Sequence, residues 1–332
     1  MKAVIFRRHG GLENLEIVDD YPEPEMGQSD CLVRVRAVSL NGFDPQVLNG
    51  IPGMKTPLPM IPCGDVAGEI VAVGASVKNR KVGELVSIVP FLDGKIMGET
   101  TLGGCCELIS LPEEGVLPIP ADLSVVDAAA LPIAYGTAWR MLGARGNLKK
   151  GERLLVVSAT GGVGVACVQL GKMLGAEVIA CGTGSWKLDR LRELGADDVF
   201  DLESEGIASA IHARLGKPRH DGTGGVDVAV NFTGGDTWVP TLRSLRRGGR
   251  LLTCGATANY APAEDLRYVF SFELNIHGSS GWTIEDQAQV LDFASSGKVK
   301  PAVHAIRPID EYADALQELM ARKVIGKSII TL

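Results

Sequence analysis

LLVVSATGGVGVACVQLGKMLGAEVIACGTG, residues 154 to 184, is the stretch that decides the fold of this chain. It begins with the apolar run Leu154–Val157, which has the length and composition of a buried parallel strand. A turn of small residues follows, and Val165–Leu174 then carries apolar residues at helical spacing. Glu177–Cys181 has the composition of a second strand. The pattern predicts a strand–turn–helix–strand unit of about thirty residues.

The turn of this unit fits the dinucleotide-binding fingerprint as A-x-G-x-x-G, with Ala159, Gly161 and Gly164 at the small positions. Ala159 permits a sharp turn, Gly161 lets the backbone approach a pyrophosphate, and Gly164 lets helix and strand pack closely. Glycine spacing alone is weak evidence, but here a strand precedes the turn and a helix follows it. We therefore expect a pyrophosphate at the N-terminus of this helix.

A membrane span is an alternative interpretation of the same stretch, because Leu154–Gly171 contains no charged residue. Four glycines interrupt this run, however, and no aromatic residues flank it as a belt. Within it, a strand-like apolar run is also followed by apolar residues at helical spacing. The composition therefore favours a core segment of a globular protein.

Length and composition limit the possible classes of protein. The 332 residues are enough for two domains, and 45% hydrophobic with 22% charged residues is typical of a globular chain with a substantial core. The formal net charge of −7 argues against nucleic acid or an anionic membrane as the main partner. The N-terminal stretch lacks a signal-peptide core, and the seven cysteines contain no C-x-x-C pair. We expect a cytoplasmic protein with reduced thiols.

The pattern along the chain predicts an α/β protein with two domains. The N-terminal part is rich in short strand-like runs, and five prolines between Asp44 and Cys63 indicate an irregular loop there. Strand-like runs later begin near residues 154, 177, 198, 226, 250 and 274, with Gly248–Gly249 expected to end the helix before the fifth. Strands at this spacing, separated by segments long enough for helices, are typical of a doubly wound parallel sheet. We expect a dinucleotide-binding domain over 126–281 and one discontinuous β-rich domain from 1–125 and 282–332.

Five stretches together resemble the medium-chain dehydrogenase/reductase superfamily over nearly the whole chain. They are MKAVIFRRHGG, LVRVRAVSLNGFD, GDVAGEIVAVG, AAALPIAYGTAW and SATGGVG. The resemblance implies a GroES-like catalytic domain, built from both ends of the chain, around a Rossmann domain. It also implies an oxidoreductase with a nicotinamide cofactor and a homodimer formed through the edge strands of the parallel sheet.

Zinc alcohol dehydrogenases of this superfamily hold a catalytic zinc through three side chains. The matching motif positions here are Asn41, Asp65 and Ile133. Ile133 has no donor atom, and an asparagine is a poor zinc ligand beside a thiolate or an imidazole. Another set could hold a metal instead: Cys63, Asp65, Cys105 and Cys106. Buried free thiols are the simpler interpretation of that set, so we expect no bound metal.

Without zinc, the chain is similar to the branch of quinone oxidoreductases and enone reductases. The resemblance implies hydride transfer from NADPH to a quinone or to an α,β-unsaturated carbonyl compound. Asn41 could donate a hydrogen bond to substrate or cofactor, or it could stabilise its loop. Asp44 is expected to brace the same loop rather than to exchange protons. Tyr135 is the best candidate for a proton or hydrogen-bond donor, although it would pack equally well as a buried aromatic. Two alternatives stay open: a zinc-less alcohol or aldehyde oxidoreductase, and an NADPH-binding protein without turnover.

The end of the second strand of the fingerprint unit predicts which dinucleotide binds. NAD-specific units usually place an acidic residue about twenty positions after the glycines. Here no carboxylate follows Gly182 until Asp189. Four side chains could hold a 2′-phosphate instead: Thr183, Ser185, Lys187 and Arg190. This favours NADPH over NADH, although Lys187 could also be a solvated helix lysine. The other expected cofactor residues are Thr137, Thr160, Gly161, Gly162, Val163, Gly182, Asn231, Thr233, Gly255, Ala256 and Ser279.

Overall fold

The computed structural model describes all 332 residues and divides them into two compact units. One unit comprises Met1–Ala134 together with Ile284–Leu332, and the other comprises Tyr135–Thr283. The first unit is thus built from both ends of the chain. None of the helices has the length and apolar character needed to cross a membrane.

The structure contains seventeen strands and ten α-helices. The strands are β1 (Ala3–Phe6), β2 (Leu15–Val18), β3 (Asp30–Ser39), β4 (Asp65–Val73), β5 (Leu85–Ile88), β6 (Phe91–Leu92), β7 (Lys95–Ile96), β8 (Leu108–Pro112), β9 (Val116–Pro118), β10 (Arg153–Val156), β11 (Glu177–Gly182), β12 (Asp198–Asp201), β13 (Val226–Val230), β14 (Leu245–Thr253), β15 (Asn275–Gly278), β16 (Val303–Pro308) and β17 (Lys327–Thr331). The α-helices are α1 (Asp44–Asn49), α2 (Val125–Ala129), α3 (Thr137–Arg140), α4 (Gly162–Met173), α5 (Ser185–Glu193), α6 (Ile207–Leu215), α7 (Trp238–Leu242), α8 (Leu266–Ser271), α9 (Ile284–Ser295) and α10 (Tyr312–Met320).

The unit made from the chain ends contains a seven-stranded sheet in which β3 is the central strand. The sheet runs β16-β17-β3-β4-β5-β9, and β8 also pairs with β3. Val33 and Val35 of β3 are buried while Arg34 and Arg36 are exposed, as expected for a strand with one face in the core. β17 pairs antiparallel with β3, with Ile329 opposite Ser39. The last strand of the chain is therefore part of the same sheet as the third.

The Tyr135–Thr283 unit is a parallel sheet in the order β12-β11-β10-β13-β14-β15. This order reverses direction after β10, as in doubly wound folds, and it confirms the sheet predicted from the spacing of the apolar runs. Within it, β10, α4 and β11 form the predicted strand–turn–helix–strand unit. Leu155, Ile179 and Leu251 are buried in its core.

Three details of the sequence prediction were wrong. The segment expected to be irregular contains α1, where Pro45 occupies the first turn and its fixed φ suits a helix start. Gly248–Gly249 does not end a helix but lies inside β14. There β13 and β14 shift register between Val226 and Val228, and Gly248, at φ 72°, adopts the left-handed conformation that such a bulge favours. Strand β16 was missed because it is a half-exposed edge strand without a clear apolar pattern.

Candidate functional site

The fingerprint turn joins β10 to α4 and brings helix and strand into close contact. A Cβ on Gly164 would lie 2.6 Å from the Cα of Ala159, so only glycine fits at this position. No atom lies within 4 Å of the place that a Cβ on Gly161 would take. Gly161 is also the N-cap of α4 and has no side chain to occupy the first N–H groups of the helix. The packing function predicted for Gly164 is confirmed, and the helix N-terminus is open to an anion.

Asn231 organises the loop after β13. Its Nδ2 donates to the Oγ1 atoms of Thr237 (3.0 Å) and Thr241 (2.9 Å), and its Oδ1 accepts from the backbone N of Thr233 and Gly234 (3.0 Å each). Because Asn231 is fully buried and uses both polar atoms within the protein, its side chain shapes the loop. The loop in turn places Thr233, whose Oγ1 donates to Oγ of Ser158 in the fingerprint turn (3.0 Å).

Ser279, which follows β15, differs from Asn231 in having an unused polar atom. Its side chain is buried, and its Oγ has no hydrogen-bond partner. A buried hydroxyl without a partner is costly, so a ligand atom beside it would be favourable. The remaining predicted cofactor residues lie in the same unit: Thr137, Thr160, Gly162, Val163, Gly255 and Ala256.

The segment after β11 carries the residues predicted to select the dinucleotide. Gly182 lies against the fingerprint turn, since a Cβ there would come 2.6 Å from Cγ2 of Thr160. Helix α5 then begins at Ser185, and its first turn has no acidic residue. Lys187 is only 5% exposed, and its Nζ lies 5.5 Å from the centroid of the Trp186 ring. The interpretation of Lys187 as a solvated lysine is therefore wrong.

Tyr135 is a buried residue of the Tyr135–Thr283 unit. Its hydroxyl donates to Oε1 of Gln169 in α4 at 2.7 Å. The ring thus packs as a buried aromatic, and its hydroxyl donates its proton within the protein. Its function as a donor to a substrate stays a prediction.

A buried polar cluster lies in the other unit, where three adjacent strands begin or end. Ser39 ends β3 and faces Asp65, which begins β4, while Lys327 begins β17. One carboxylate joins this cluster: Asp65 Oδ2 accepts from Lys327 Nζ, Asn41 Nδ2 and Ser39 Oγ at 2.9 Å each. Asp65 Oδ1 accepts from the backbone N of Ile133 at 2.8 Å. Residues far apart in sequence are thus collected around Asp65.

Asn41 is held on both sides of its amide group. Lys327 Nζ donates to Oδ1 of Asn41 at 2.5 Å, and Nδ2 of Asn41 donates to Asp65. The backbone N of Asn41 donates to Oδ2 of Asp44 at 2.8 Å, so Asp44 does brace this segment. The amide of Asn41 is consequently fixed by the protein. Its predicted hydrogen bond to substrate or cofactor stays untested.

Two carboxyl groups near this cluster bind protons at neutral pH. Burial, with a smaller contribution from the negative Asp65, raises the pKa of Asp44 to about 7, although the hydrogen bond from Asn41 and the charge of Lys327 oppose this rise. Burial, with the charge of Asp44, also raises the pKa of Glu99 to about 7. A carboxyl group with such a pKa can exchange protons under neutral conditions.

The cysteines around this cluster are neutral thiols. Burial raises the pKa of Cys63 well above its ordinary value and that of Cys106 to about 12. No three His, Cys, Asp or Glu side chains are arranged to hold a metal ion. The alternative metal set that combined Asp65 with the cysteines is therefore not assembled.

Sequence reasoning missed Lys327 and Glu99. A single charged residue at the start of the apolar run Ser328–Leu332 was the one available signal for Lys327. Its partner Asp65 is 262 positions away, and only the pairing of β17 with β3 reveals the contact. Glu99 lies in a glycine-rich segment whose sequence carries no pattern.

Comparison with known proteins adds the family context. A family model described as alcohol dehydrogenase GroES-like domain matches residues 27–121, and one described as zinc-binding dehydrogenase matches residues 162–296. A quinone oxidoreductase-like protein 2 homolog of Nematostella vectensis is 28% identical over 327 residues, which cover 95% of this chain and 85% of that protein. The chloroplastic NADPH-dependent alkenal/one oxidoreductase of Arabidopsis thaliana is 28% identical, over 99% of this chain and 79% of that protein. A solved structure described as an NAD-dependent alcohol dehydrogenase matches with a TM-score of 0.93 and 32% identity over 100% of both chains.

Alanine substitutions at two glycines separate packing from ligand binding in the fingerprint turn. Gly164→Ala should destabilise the protein by about 1–3 kcal/mol, because its methyl group overlaps the backbone of Ala159. Gly161→Ala, at φ −79°, should leave the melting temperature unchanged but weaken dinucleotide binding, because its methyl group occupies the approach of the pyrophosphate. Thermal melts and fluorescence titration measure the two effects. Equal losses of stability in both variants would contradict this assignment.

The raised pKa of Asp44 predicts a pH-dependent effect of Asp44→Asn. Native Asp44 retains its proton up to about pH 7, whereas the unfolded carboxyl loses it near pH 4, so the wild-type protein loses stability as pH rises between these values. Asparagine still accepts from Asn41 and has no proton to lose. The melting temperature of the variant relative to wild type should therefore rise by about 5 °C from pH 4 to pH 8.

Thermal melts across this pH range test the Asp44 prediction. Asp20→Asn, at an exposed position, is the matched control for the loss of a carboxyl group. A difference between Asp44→Asn and wild type that stays constant with pH would show that Asp44 is ionised in the native state throughout.

Proposed function

Since this chain belongs to the medium-chain dehydrogenase/reductase superfamily, in its quinone oxidoreductase-like branch, we propose that it is an NADPH-dependent, zinc-independent reductase. Members of this family are oxidoreductases that use a nicotinamide cofactor. This chain is therefore an oxidoreductase with a nicotinamide cofactor. The proposed reaction transfers hydride to a quinone or to the β-carbon of an α,β-unsaturated carbonyl compound. One observation carries the choice of NADPH. The second strand of the fingerprint unit, β11, ends at Gly182 without a carboxylate, and the helix that follows it contains the buried Lys187.

Several residues of the Tyr135–Thr283 unit fit a dinucleotide. The N-terminus of α4 is open at Gly161, and the buried Oγ of Ser279 lacks a partner. These positions can bind a pyrophosphate and a further polar group of the cofactor, respectively. When bound, the reduced nicotinamide supplies the hydride. The chain itself contributes binding and orientation.

The side chains after β11 support NADPH as the dinucleotide. An NAD-type site needs a carboxylate for the ribose hydroxyls, and the first turn of α5 has none. Lys187 provides a positive charge in a buried position, with the hydroxyls of Thr183 and Ser185 close in sequence. The relatives are named for both cofactors, NADPH in the Arabidopsis protein and NAD in the solved structure. The choice therefore depends on these side chains.

The residues in the other unit do not fit a catalytic zinc ion. Asp65 already accepts four hydrogen bonds, including one from the Lys327 ammonium, and Asn41 is held by the same ammonium. Ile133 offers a hydrocarbon side chain and uses its backbone N on Asp65. Among these three residues, no anionic or imidazole donor is left over for a metal. The proposed reaction accordingly involves no metal-bound step.

A proton must also reach the reduced substrate, and we propose that Asp44, which the sequence led us to expect only as a brace for its loop, supplies it. Its pKa of about 7 makes it half protonated at neutral pH, whereas the Tyr135 hydroxyl already donates to Gln169. Asn41 links Asp44 to the Asp65–Lys327 pair and keeps its carboxyl in place. Asp44 is thus the best-tuned acid among the predicted catalytic residues.

Turnover with purified protein tests the reaction class. NADPH oxidation should be observed with a simple quinone or with an enone such as but-3-en-2-one, and a chelator should leave the rate unchanged. Activity confined to alcohols or aldehydes would favour a zinc-less alcohol oxidoreductase, as the solved neighbour's description suggests. Tight NADPH binding without oxidation by any acceptor would favour a binding protein without turnover.

Lys187→Ala tests the choice of dinucleotide. Loss of a charge-assisted contact to the 2′-phosphate should weaken NADPH binding about 10- to 100-fold and leave NADH binding nearly unchanged. Arg192→Ala on the same helix, where the side chain is exposed and paired with Asp189, is the matched control. Equal effects of Lys187→Ala on both dinucleotides would rule out the phosphate contact.

We also propose that the protein is a homodimer. β15 lies at the edge of the parallel sheet, and α8, which precedes it in the chain, exposes apolar side chains, with Leu266 at 71% and Phe270 at 69% exposure. An unpaired edge next to such a surface is a ready template for a second copy.

Phe270→Asp should therefore convert dimer to monomer in analytical ultracentrifugation. Ile306→Asp, at a 56% exposed site in the other unit, should not. A monomeric wild-type protein would refute this proposal.

A further inference from the structure

A positive charge is buried at the start of the last strand. Lys327 is 1% exposed, and its Nζ lies 2.9 Å from Oδ2 of Asp65 and 2.5 Å from Oδ1 of Asn41. Asp65 is fully buried. Taking two charges out of water is costly, and the pair persists only where hydrogen bonds satisfy the remaining polar atoms. Here Ser39, Asn41 and the backbone N of Ile133 satisfy the carboxylate.

The ammonium lies among the residues at the motif positions that hold catalytic zinc in zinc alcohol dehydrogenases of this superfamily. One family model that matches the chain is described as zinc-binding dehydrogenase. The three residues related to zinc ligands, Asn41, Asp65 and Ile133, do meet in the structure. The ammonium contacts two of them. The cation among the residues at these positions is therefore the ammonium group of Lys327, a side chain of the protein itself, and not a metal ion.

We propose that Lys327 is the resident cation of this site, replacing a metal ion and excluding one. Its charge neutralises Asp65, and its hydrogen bond to Oδ1 fixes and polarises the amide of Asn41. Lys327 is thus a positioning residue. This proposal rests on the proposed zinc-independent function and gives a structural reason for the zinc independence. It is tested by measurements of stability and metal binding rather than of turnover. Failure to reduce a quinone would therefore not decide it.

Chemical complementation of Lys327→Ala in the full-length protein is the first test. The substitution leaves Asp65 buried without its charge partner, and the melting temperature should fall by about 10 °C. Propylammonium matches the atoms removed and should recover at least half of this loss. 1-Propanol, which has a similar size and no charge, should not. Wild type should respond to neither compound.

A double variant shows whether the response depends on the carboxylate. In Lys327→Ala with Asp65→Asn, propylammonium should have no effect, because the carboxylate that pairs with it is gone. An equal response in the double variant, or none in Lys327→Ala, would overturn the proposal. If Lys327→Ala does not fold, Lys327→Met is compared alone and with Asp65→Asn. The double variant should then be the more stable, and equal or lower stability would likewise overturn the proposal.

Metal binding is the second test. After dialysis against zinc chloride, Lys327→Ala should retain more zinc than Lys327→Ala with Asp65→Asn, as measured by mass spectrometry. Wild type should retain no more than its own Asp65→Asn variant or, if that variant does not fold, than Lys327→Met with Asp65→Asn. Zinc held by wild type in an Asp65-dependent manner would show that the ammonium does not exclude the metal. Equal zinc in both Lys327→Ala proteins would show that Asn41 and Asp65 form no cation site.

Discussion

The buried pair of Lys327 and Asp65 constrains most of the unit that is built from the two ends of the chain. Each charge loses several kcal/mol of hydration in such a place, so the arrangement is stable only when every partner is present. Those partners come from the end of β3, the start of β4 and the start of β17. A slip of one residue between β17 and β3 would turn Lys327 to the opposite face of the sheet. The ion pair therefore specifies the register that joins the last strand to the third.

The surroundings of this pair are poorly solvated, and burial disfavours the charged forms of their titratable groups. Burial raises the pKa of Asp44 and Glu99 to about 7 and keeps the thiols of Cys63 and Cys106 protonated. A carboxyl group with a pKa of about 7 beside a fixed amide is suited to proton transfer, and for this reason the proposed proton supply is assigned to Asp44.

The Tyr135–Thr283 unit depends on a different constraint, the close approach of backbone to backbone. Gly164 and Gly182 pack against the fingerprint turn where a side chain would overlap. The network around Asn231 then holds the neighbouring loop against Ser158 through Thr233. These contacts leave the N-terminus of α4 open and a buried hydroxyl at Ser279 without a partner. Such an arrangement is preorganised for a dinucleotide.

The sequence by itself determined the parallel sheet, the fingerprint turn and the missing carboxylate after Gly182, because each depends on periodicity or on residues close together in the chain. Its motifs also identified Asn41, Asp65 and Ile133 as the residues at the three zinc-ligand positions of zinc alcohol dehydrogenases. Only the tertiary structure decided that Lys187 is buried and that Lys327 supplies a cation to Asp65 across 262 positions. No local pattern encodes that contact, since it arises when the pairing of distant strands excludes water from both charges at once.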